Sequence, residues 1–591
     1  MTGQAMIMLL WAGFVLSAFA QQDPKIDLAV LGPVYQPAAN NSFEAFTDAK
    51  TQATNAINQI IAAGNSTYGA LDNQATSFSA SVFSLTSDEP LFEFHFEAPQ
   101  LNGSCTKGKL SENTIYRTGS LGKLLTIYTW LVDIGDQIYL DPITKYVPEL
   151  ATAAQSYKNP LLSTNWSEVT VGSLASQISG IGRDFHLGDL AIQSFQSPPV
   201  SDTVNIDGYP PLGNETIIEC NSYGDTLPPC SRAQFLRGVI EHPPVYPSYA
   251  TPTYSNLAYA ILGLAYENIT GRSILDGQRD TFINKLGMTS TTPTVPGPNA
   301  DAIIPRNDSF ALFAYDIGIQ GPAGNQYTST KDLRTWGRAI LTFKLLPGFV
   351  TRRWMKPTTF TSQWESAVGA PWEIYRIAVP TNTIINASRI VDTYTKSGDI
   401  GVYSTYFGLV PDYKIGITVM AAGDDPNRQV PPIRGTLVDI FYKAAEAAAK
   451  EQAKNAFTGT FKSTDRNSSI TLAVDGGPGV KVEQWISNGT NFLTQEYLAS
   501  YADFRLFPTD LSTQADDGLT YYKYHLNTLI DPNGEPVTGD PWAEFNDYWI
   551  QVDQAIYNNL ATDAFVVGFD SDGVVQSVSS QALRTAMLRA S

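Results

Sequence analysis

A serine and a lysine lie three residues apart at the start of the apolar segment "IYRTGSLGKLLTIYTWLVDIG". In a helix, Ser120 and Lys123 share one face, and the helix's positive end lies beside the alkoxide that a first-turn serine develops. Lysine becomes a competent base at neutral pH only if its pKa falls from about 10.4 to about 7, a change of about 4 kcal/mol. Burial and a second nearby cation supply such a shift. The spacing therefore predicts a nucleophile with its base one helical turn away.

The same spacing occurs a second time, and its context differs. Ser104 and Lys107 lie in "LNGSCTKGKLSEN", a polar segment that overlaps a glycosylation sequon and has no apolar helix after it. The segment "LLTIYTWLVDIG" follows Ser120 and would bury the helix that carries Lys123. Context therefore favours Ser120. The alternative is an ordinary helix N-cap followed by a solvated lysine.

Two further patterns follow in order along the chain. Tyr254 and Asn256 enter the apolar segment "NLAYAILGLAYENIT", and Lys396, Ser397 and Gly398 lie in the strand-like segment "TYTKSGDIGVYS". A phenol can relay a proton to a leaving group, and a cationic strand edge can hold an acyl group against backbone donors. Tyr-x-Asn also occurs at Tyr157-Asn159, Tyr266-Asn268 and Tyr557-Asn559, whereas Lys-Ser/Thr-Gly occurs once. Turn and cap residues and a plain strand cation are the alternative interpretation.

Other hydrolytic chemistries have weaker support. The chain has four histidines, and neither His-Glu-x-x-His nor Gly-x-Ser-x-Gly occurs. The sequence therefore does not favour a zinc hydrolase or a Ser-His-Asp hydrolase, and we expect no metal and no cofactor.

The three patterns in this order resemble those of the serine β-lactamase and penicillin-binding-protein superfamily, specifically the class C β-lactamases with their esterase and D,D-peptidase relatives. The family form is Ser-x-x-Lys, then Ser-Asp-Asn or Tyr-x-Asn, then Lys-Thr-Gly. Similar segments include "LDPITKYVPEL", "VTVGSLASQISGIG", "FINKLGMTST" and "GNQYTSTKDLRTWGRAIL". The likeness covers approximately residues 76–450, and the layout is similar to that of secreted fungal members.

The resemblance implies roles for the first two motifs. Ser120 is the nucleophile that forms an acyl-enzyme, and Lys123 helps to deprotonate it. Tyr254 is the proton shuttle and activates the deacylating water, while Asn256 positions the acyl side chain. Gly119 departs from the usual pattern, which predicts a loosened helix start.

The resemblance also implies roles for the third motif. Lys396, followed by Ser397 and Gly398, raises the local positive potential and meets a substrate carboxylate. The oxyanion hole is the backbone N–H of Ser120 plus that of Asp399, and loss of one such donor typically costs about 3–4 kcal/mol. Asp399 stands where relatives carry a small neutral residue, so its charge would repel an anionic acyl group.

The elements that must position these residues form an α+β pattern. We expect a helix over 42–64, a hairpin over 77–99, three strands in succession over 391–423, and a long helix over 435–457. The fold class is β-lactamase-like, an antiparallel sheet flanked by helices with an all-helical insertion, plus a β-rich C-terminal domain. The predicted domains are a signal peptide (1–20), an N-terminal arm and helix (21–75), the catalytic domain (76–455) and the C-terminal domain (456–591).

Several features predict a secreted, extracellular protein. An apolar N-terminal run ends in Ala18-Phe19-Ala20, which fits a signal-peptidase site, although no Lys or Arg precedes it and an uncleaved anchor stays open. No other segment is transmembrane-like. Ten N-glycosylation sequons begin at Asn40, Asn65, Asn102, Asn165, Asn214, Asn268, Asn307, Asn386, Asn467 and Asn488.

The cysteine count limits the possible disulfides, and the net charge limits the possible binding partners. With three cysteines, three pairings are possible; Cys220 with Cys230 is favoured, which leaves Cys105 odd. The net charge of −19 is spread without basic blocks and argues against nucleic-acid binding.

The combined interpretation is a secreted serine hydrolase that acts on a small-molecule ester, amide or lactam, with no membrane span after signal cleavage. An acyltransferase of the same fold, in secondary-metabolite biosynthesis, and a catalytically idle binding protein stay open. The sequence does not indicate the oligomeric state.

Overall fold

The computed structural model describes residues 26–28, 32–185, 208–210, 220, 228–305, 311–384, 386–494, 503–528 and 552–590. The predicted signal peptide and the sequons at Asn214 and Asn307 lie outside these ranges. Contacts divide the chain into two units: 37–377 with 392–451, and the residues up to 36 with 378–391 and 452–591. Residues 37–75 of the predicted N-terminal arm and helix (21–75) belong to the first of these units.

A large sheet carries the third motif, Lys396-Ser397-Gly398. Its strands follow the order Phe92–Phe96, Thr76–Ser84, Ile415–Gly423, Tyr403–Val410, Ala387–Ile400, Glu373–Asn382, Ser366–Val368 and Thr359–Phe360, with Ile26–Leu28 parallel to Ala387–Ile400. The first two strands are antiparallel neighbours, which confirms the predicted hairpin. The three strands predicted over 391–423 are also confirmed as antiparallel neighbours.

Both faces of this sheet are covered, and each strand alternates its side chains between them. On one face the helix Thr330–Leu341 stacks Trp336 on Phe407, with ring centroids 5.3 Å apart. On the other face Phe441 of the long helix Pro426–Phe457 packs against Phe92, with ring centroids 5.6 Å apart. Buried aromatic pairs on both sides make the sheet a rigid base for the residues at its edges.

The long helix predicted over 435–457 is longer than expected. It spans Pro426–Phe457 and so begins nine residues before the predicted start, and it contains Pro431 and Pro432. Proline lacks a backbone N–H and usually marks a helix boundary, so the pattern placed the start after both prolines. Val430 and Ile433 are buried on either side of them, and this burial holds the first turns in helical form.

Along the chain, the remaining helices of this unit come after the strands Thr76–Ser84 and Phe92–Phe96 and before the later strands of the sheet. They are Gly122–Asp133, Pro148–Gln155, Val171–Ala175, Arg232–Glu241, Asn256–Thr270, Ile274–Gln278, Asn284–Leu286, Gly321–Gly324, Thr330–Leu341 and Gly348–Trp354. Before the sheet, the helix Glu44–Ala63 ends at Gly64, which has a left-handed φ of 66°, as predicted. The α+β class with a helical insertion is confirmed.

The other unit is β-rich, as predicted. Its strands follow the order Ser469–Ala473, Gly459–Lys462, Thr585–Arg589, Val575–Ser580, Ala564–Phe569, Thr520–Thr528, Phe504–Gln514, Val480–Ser487 and Thr490–Asn491. A further pairing joins Ser469–Ala473 to Val480–Ser487 and closes the sheet on itself. In this unit the two-residue strands Ile556–Tyr557 and Leu560–Ala561 also pair. The first unit has two such pairs, Asn65–Ser66 with Gly69–Ala70 and Tyr116–Arg117 with Tyr327–Thr328.

The cysteines follow the favoured pairing. Cys220 and Cys230 form a disulfide, and Cys105 is a free, buried thiol. Burial raises the pKa of the Cys105 thiol to about 11. Within the described ranges, no helix is long and apolar enough to cross a membrane.

Candidate active site

Ser120 lies in a tight turn that the neighbouring strand closely approaches. The 3₁₀ turn Gly119–Leu121 leads directly into the helix Gly122–Asp133. Gly119 has a left-handed φ of 52°, and a Cβ there would lie 2.6 Å from the carbonyl oxygen of Asp399. Glycine is therefore required before Ser120, because any side chain would push the strand away. This is the physical reason for the residue that the sequence marked as unusual.

The contact is equally close on the strand side. A Cβ on Gly398 would lie 2.7 Å from the backbone nitrogen of Ser120. The strand Ala387–Ile400 thus runs against the start of the nucleophile turn without an intervening side chain. The Asp399 side chain is exposed.

Lys123 is fully buried, and its Nζ has three described partners. It lies 2.9 Å from Ser120 Oγ, 2.5 Å from Asn256 Oδ1 and 3.0 Å from the carbonyl oxygen of Ala323. Asn256 is held in this orientation because its Nδ2 donates to Asp184 Oδ1 at 2.6 Å, and a carboxylate accepts only. A neutral lysine amine therefore donates both N–H groups to carbonyl oxygens, and its lone pair faces Ser120 Oγ.

The electrostatics favour that neutral state. Burial is the largest cause and lowers the pKa of Lys123 below its ordinary value. The Tyr254 side chain opposes this shift, and the ammonium group of Lys396 adds to it. Lys123 thus has both the lowered pKa and the hydrogen-bond geometry of a general base.

Tyr254 completes the group around the serine hydroxyl. Its hydroxyl lies 2.5 Å from Ser120 Oγ. Its ring centroid lies 4.8 Å from Lys123 Nζ, 5.6 Å from Lys396 Nζ and 4.7 Å from Arg183 Cζ. Burial opposes ionisation of the phenol, but the charges of Lys123 and Lys396 outweigh it and lower the pKa of Tyr254.

Ser255 fixes the position of its two neighbours. Its side chain caps the helix Asn256–Thr270 and also donates to the carbonyl oxygen of Gly182 at 2.7 Å. Its backbone N–H donates to Gln177 Oε1 at 2.6 Å. Tyr254 is thereby held just outside the helix with its ring turned towards the nucleophile.

Lys396 is buried beside Tyr254 and is paired with Glu373. Its Nζ donates to the Glu373 carboxylate and to the carbonyl oxygen of Ser397, the latter at 2.7 Å. The backbone N–H and Oγ of Ser397 donate to Glu373 Oε2 at 2.9 and 2.8 Å. Burial lowers the pKa of Lys396, but Glu373 outweighs it and raises that pKa, so the lysine stays an ammonium.

The structure brings together the five side chains that the three motifs nominated: Ser120, Lys123, Tyr254, Asn256 and Lys396. Sequence reasoning missed Asp184 and Glu373, which carry no motif and reach the site only through the fold. Lys107 of the second Ser-x-x-Lys is exposed. Among the described residues, no cluster of three or more His, Cys, Asp or Glu side chains is placed to hold a metal ion.

The model of the β-lactamase family matches residues 98–438, which include all of these side chains. The chain belongs to the β-lactamase family. A second family model, described as "Beta-lactamase-like-like, C-terminal domain", matches residues 449–591 of this β-lactamase-family protein.

Curated fungal relatives extend this likeness. A beta-lactamase-like protein of Arthroderma benhamiae is 28% identical over 87% of this chain and 88% of its own length. A probable hydrolase of Phoma sp. is 26% identical over 73% of this chain and 70% of its own. Among solved structures, a class C β-lactamase aligns at 16% identity with a TM-score of 0.45, over 67% of this chain and 96% of that one. The family and the named relatives support a hydrolase.

Proposed function

We propose that this family member is a serine hydrolase that acts through an acyl-enzyme on an ester, amide or lactam. The observation that carries the proposal is the convergence of a buried lysine amine and a tyrosine hydroxyl on one serine hydroxyl. Lys123 Nζ lies 2.9 Å and the Tyr254 hydroxyl 2.5 Å from Ser120 Oγ. A hydroxyl in that setting can lose its proton at the moment of attack.

Acylation begins when Ser120 Oγ attacks the substrate carbonyl carbon and its proton passes to Lys123. The backbone N–H groups of Ser120 and Asp399 would hold the oxyanion, and their mutual approach is supported by the close contact of the turn with the strand. The intermediate then collapses, the bond to the leaving group breaks, and the Tyr254 hydroxyl donates a proton to the departing oxygen or nitrogen. Proton transfer from Lys123 restores Tyr254.

Deacylation reverses the proton path. Tyr254 first passes its hydroxyl proton to Lys123, and the resulting phenolate removes a proton from a water molecule that attacks the ester on Ser120. The ester bond breaks, the free acid leaves, and Ser120 Oγ takes a proton from Lys123. Lys396 keeps its charge through both steps and favours the ionised phenol.

The direct test is covalent labelling by a fluorophosphonate, read by intact mass. We expect labelling of the native chain, loss in Ser120→Ala and retention in Ser104→Ala, the serine of the second Ser-x-x-Lys. Labelling that survives Ser120→Ala, or its absence from folded native protein, contradicts the proposal. Release of free acid in buffer, rather than transfer to an added alcohol, separates hydrolysis from acyl transfer.

Secretion is part of the same proposal and is supported by surface exposure. Of the eight described sequon asparagines, seven are exposed and Asn165 is half-buried. The disulfide between Cys220 and Cys230 also suits an oxidising compartment. Full-length chain from a eukaryotic host should appear in the medium and lose mass on treatment with peptide N-glycosidase; retention inside the cell without glycans contradicts secretion.

A further inference from the structure

One internal carboxylate occupies the hydrogen-bond donors of the strand beside the nucleophile. Glu373 accepts from Lys396 Nζ, from the backbone N–H of Ser397 and from Ser397 Oγ. These donors belong to the segment whose next residue, Gly398, lies against the Ser120 turn. A substrate carboxylate that approached Lys396 would therefore compete with a carboxylate already in place.

This inference rests on the proposed hydrolase function. We propose that Glu373 is a specificity-determining residue that acts as a built-in counter-anion to Lys396. The site would then select acyl donors that are neutral or cationic where they face Lys396.

The exposure of the two partners supports this role. The side chain of Lys396 is 2% exposed and that of Glu373 is 27% exposed. The carboxylate is thus the solvent-facing member of the pair and covers the ammonium group. An incoming anion meets Glu373 before it meets the lysine.

The charges around the nucleophile also disfavour an anionic substrate. Asp399 follows Gly398 directly and is exposed, and its charge acts on Lys396. Asp184 pairs with Arg183 at 3.2 Å, and the Arg183 guanidinium lies 4.7 Å from the ring centroid of Tyr254. With Lys123 neutral as the base, the two cations of this group, Lys396 and Arg183, face three carboxylates. An anionic substrate gains no net attraction there.

Displacement of Glu373 by a substrate carboxylate is also unfavourable. Glu373 is attached to the neighbouring strand, so its effective concentration at Lys396 exceeds that of a free ligand. Its removal would leave a partly desolvated carboxylate without its ammonium partner, and broken buried pairs are strongly destabilising. Neutral ester, lactone or amide donors avoid that exchange.

The test uses two aryl phosphonates with the same phosphonyl group. In one probe the leaving phenol carries a carboxylate next to the ester oxygen, and in the other that group is the methyl ester. Their rates of Ser120 modification are followed by intact mass in native chain, Glu373→Gln, Glu373→Ala and the control Glu365→Gln, which removes an exposed carboxylate. We expect native chain and control to react faster with the methyl ester by about tenfold, and both Glu373 variants to lose that preference.

The outcomes separate the two proposals. Native chain that reacts as fast with the anionic probe, or Glu373 variants that slow both probes equally, overturns the specificity role. The specificity role is also overturned if a fluorophosphonate labels Ser120 but neither aryl probe modifies the native chain. A site that selects neutral donors should accept the methyl ester. Absence of labelling by every phosphonate contradicts the hydrolase function instead.

Discussion

Lys123 has a lowered pKa that should set the pH dependence of acylation. Its ordinary pKa is 10.5, and burial moves it down. Only the neutral amine accepts a proton from Ser120, so the labelling rate should rise with pH and level off below the ordinary lysine pKa of 10.5. We expect Lys123→Met to slow labelling by about 10²–10⁴-fold and to abolish this rise. A rate that climbs through pH 10.5 as for an exposed lysine contradicts the assignment.

Asp184 is a positioning residue, because it acts through Asn256. Its carboxylate accepts from Asn256 Nδ2 and favours the charged form of Lys123. In Asp184→Asn, we expect labelling at neutral pH to slow by about tenfold as Asn256 loses its fixed orientation. Loss of the negative charge should also move the rising limb of the pH profile to lower pH. An unshifted limb would mean that Asp184 is merely structural; Asp280→Asn is the exposed control.

At the scale of elements, the contact between turn and strand is the feature that assembles the site. In Gly398→Ala, the added Cβ would lie 2.7 Å from Ser120 N, and the backbone around it must shift. We expect labelling to fall by at least about 10², the typical effect of losing one oxyanion donor. The matched control is Gly297→Ala, because a Cβ there meets nothing within 4 Å. Equal labelling in the two variants would show that the close approach is unimportant.

The elements that sequence predicts well are those with local patterns. Alternating residues predicted the hairpin over 77–99, and apolar helical spacing predicted the helix that ends at Gly64. Short motifs nominated Ser120 and Lys123 because both lie on one helical turn. Glu373 was missed, since only the pairing of two strands brings it to Lys396. The start at Pro426 was missed because proline's local preference is overridden by buried neighbours.

For the whole molecule, the C-terminal unit has its own buried charge network. Arg505 is fully buried and bonds Asp475 at 2.7 Å and Asp503 at 2.9 Å. Burial opposes ionisation of Asp475, but the Arg505 guanidinium outweighs it and lowers the pKa of that carboxyl from 3.8 to about 2. The folded pKa lies below the unfolded value, so this stabilisation is present above pH 3.8 and is lost as the pH falls through about 2.

Asp475→Asn should therefore destabilise that unit at neutral pH. We expect a loss of about 2–3 kcal/mol in the free energy of unfolding, because Arg505 keeps its buried charge but loses its bidentate partner. Chemical denaturation followed by tryptophan fluorescence measures this, since Trp485 is buried in the same unit. Asp516→Asn, an exposed carboxylate of the same unit, is the control. Identical unfolding curves would contradict the prediction.

The central claim is that one hydroxyl becomes covalently acylated. The most direct measurement is rapid acid quench of the native chain during turnover of 4-nitrophenyl acetate, followed by intact mass and peptide mapping. We expect one acetyl group on the peptide that contains Ser120, at higher occupancy in Tyr254→Phe if deacylation slows more than acylation. An acetyl group on another residue, or 4-nitrophenol release without any adduct in either chain, would contradict the claim.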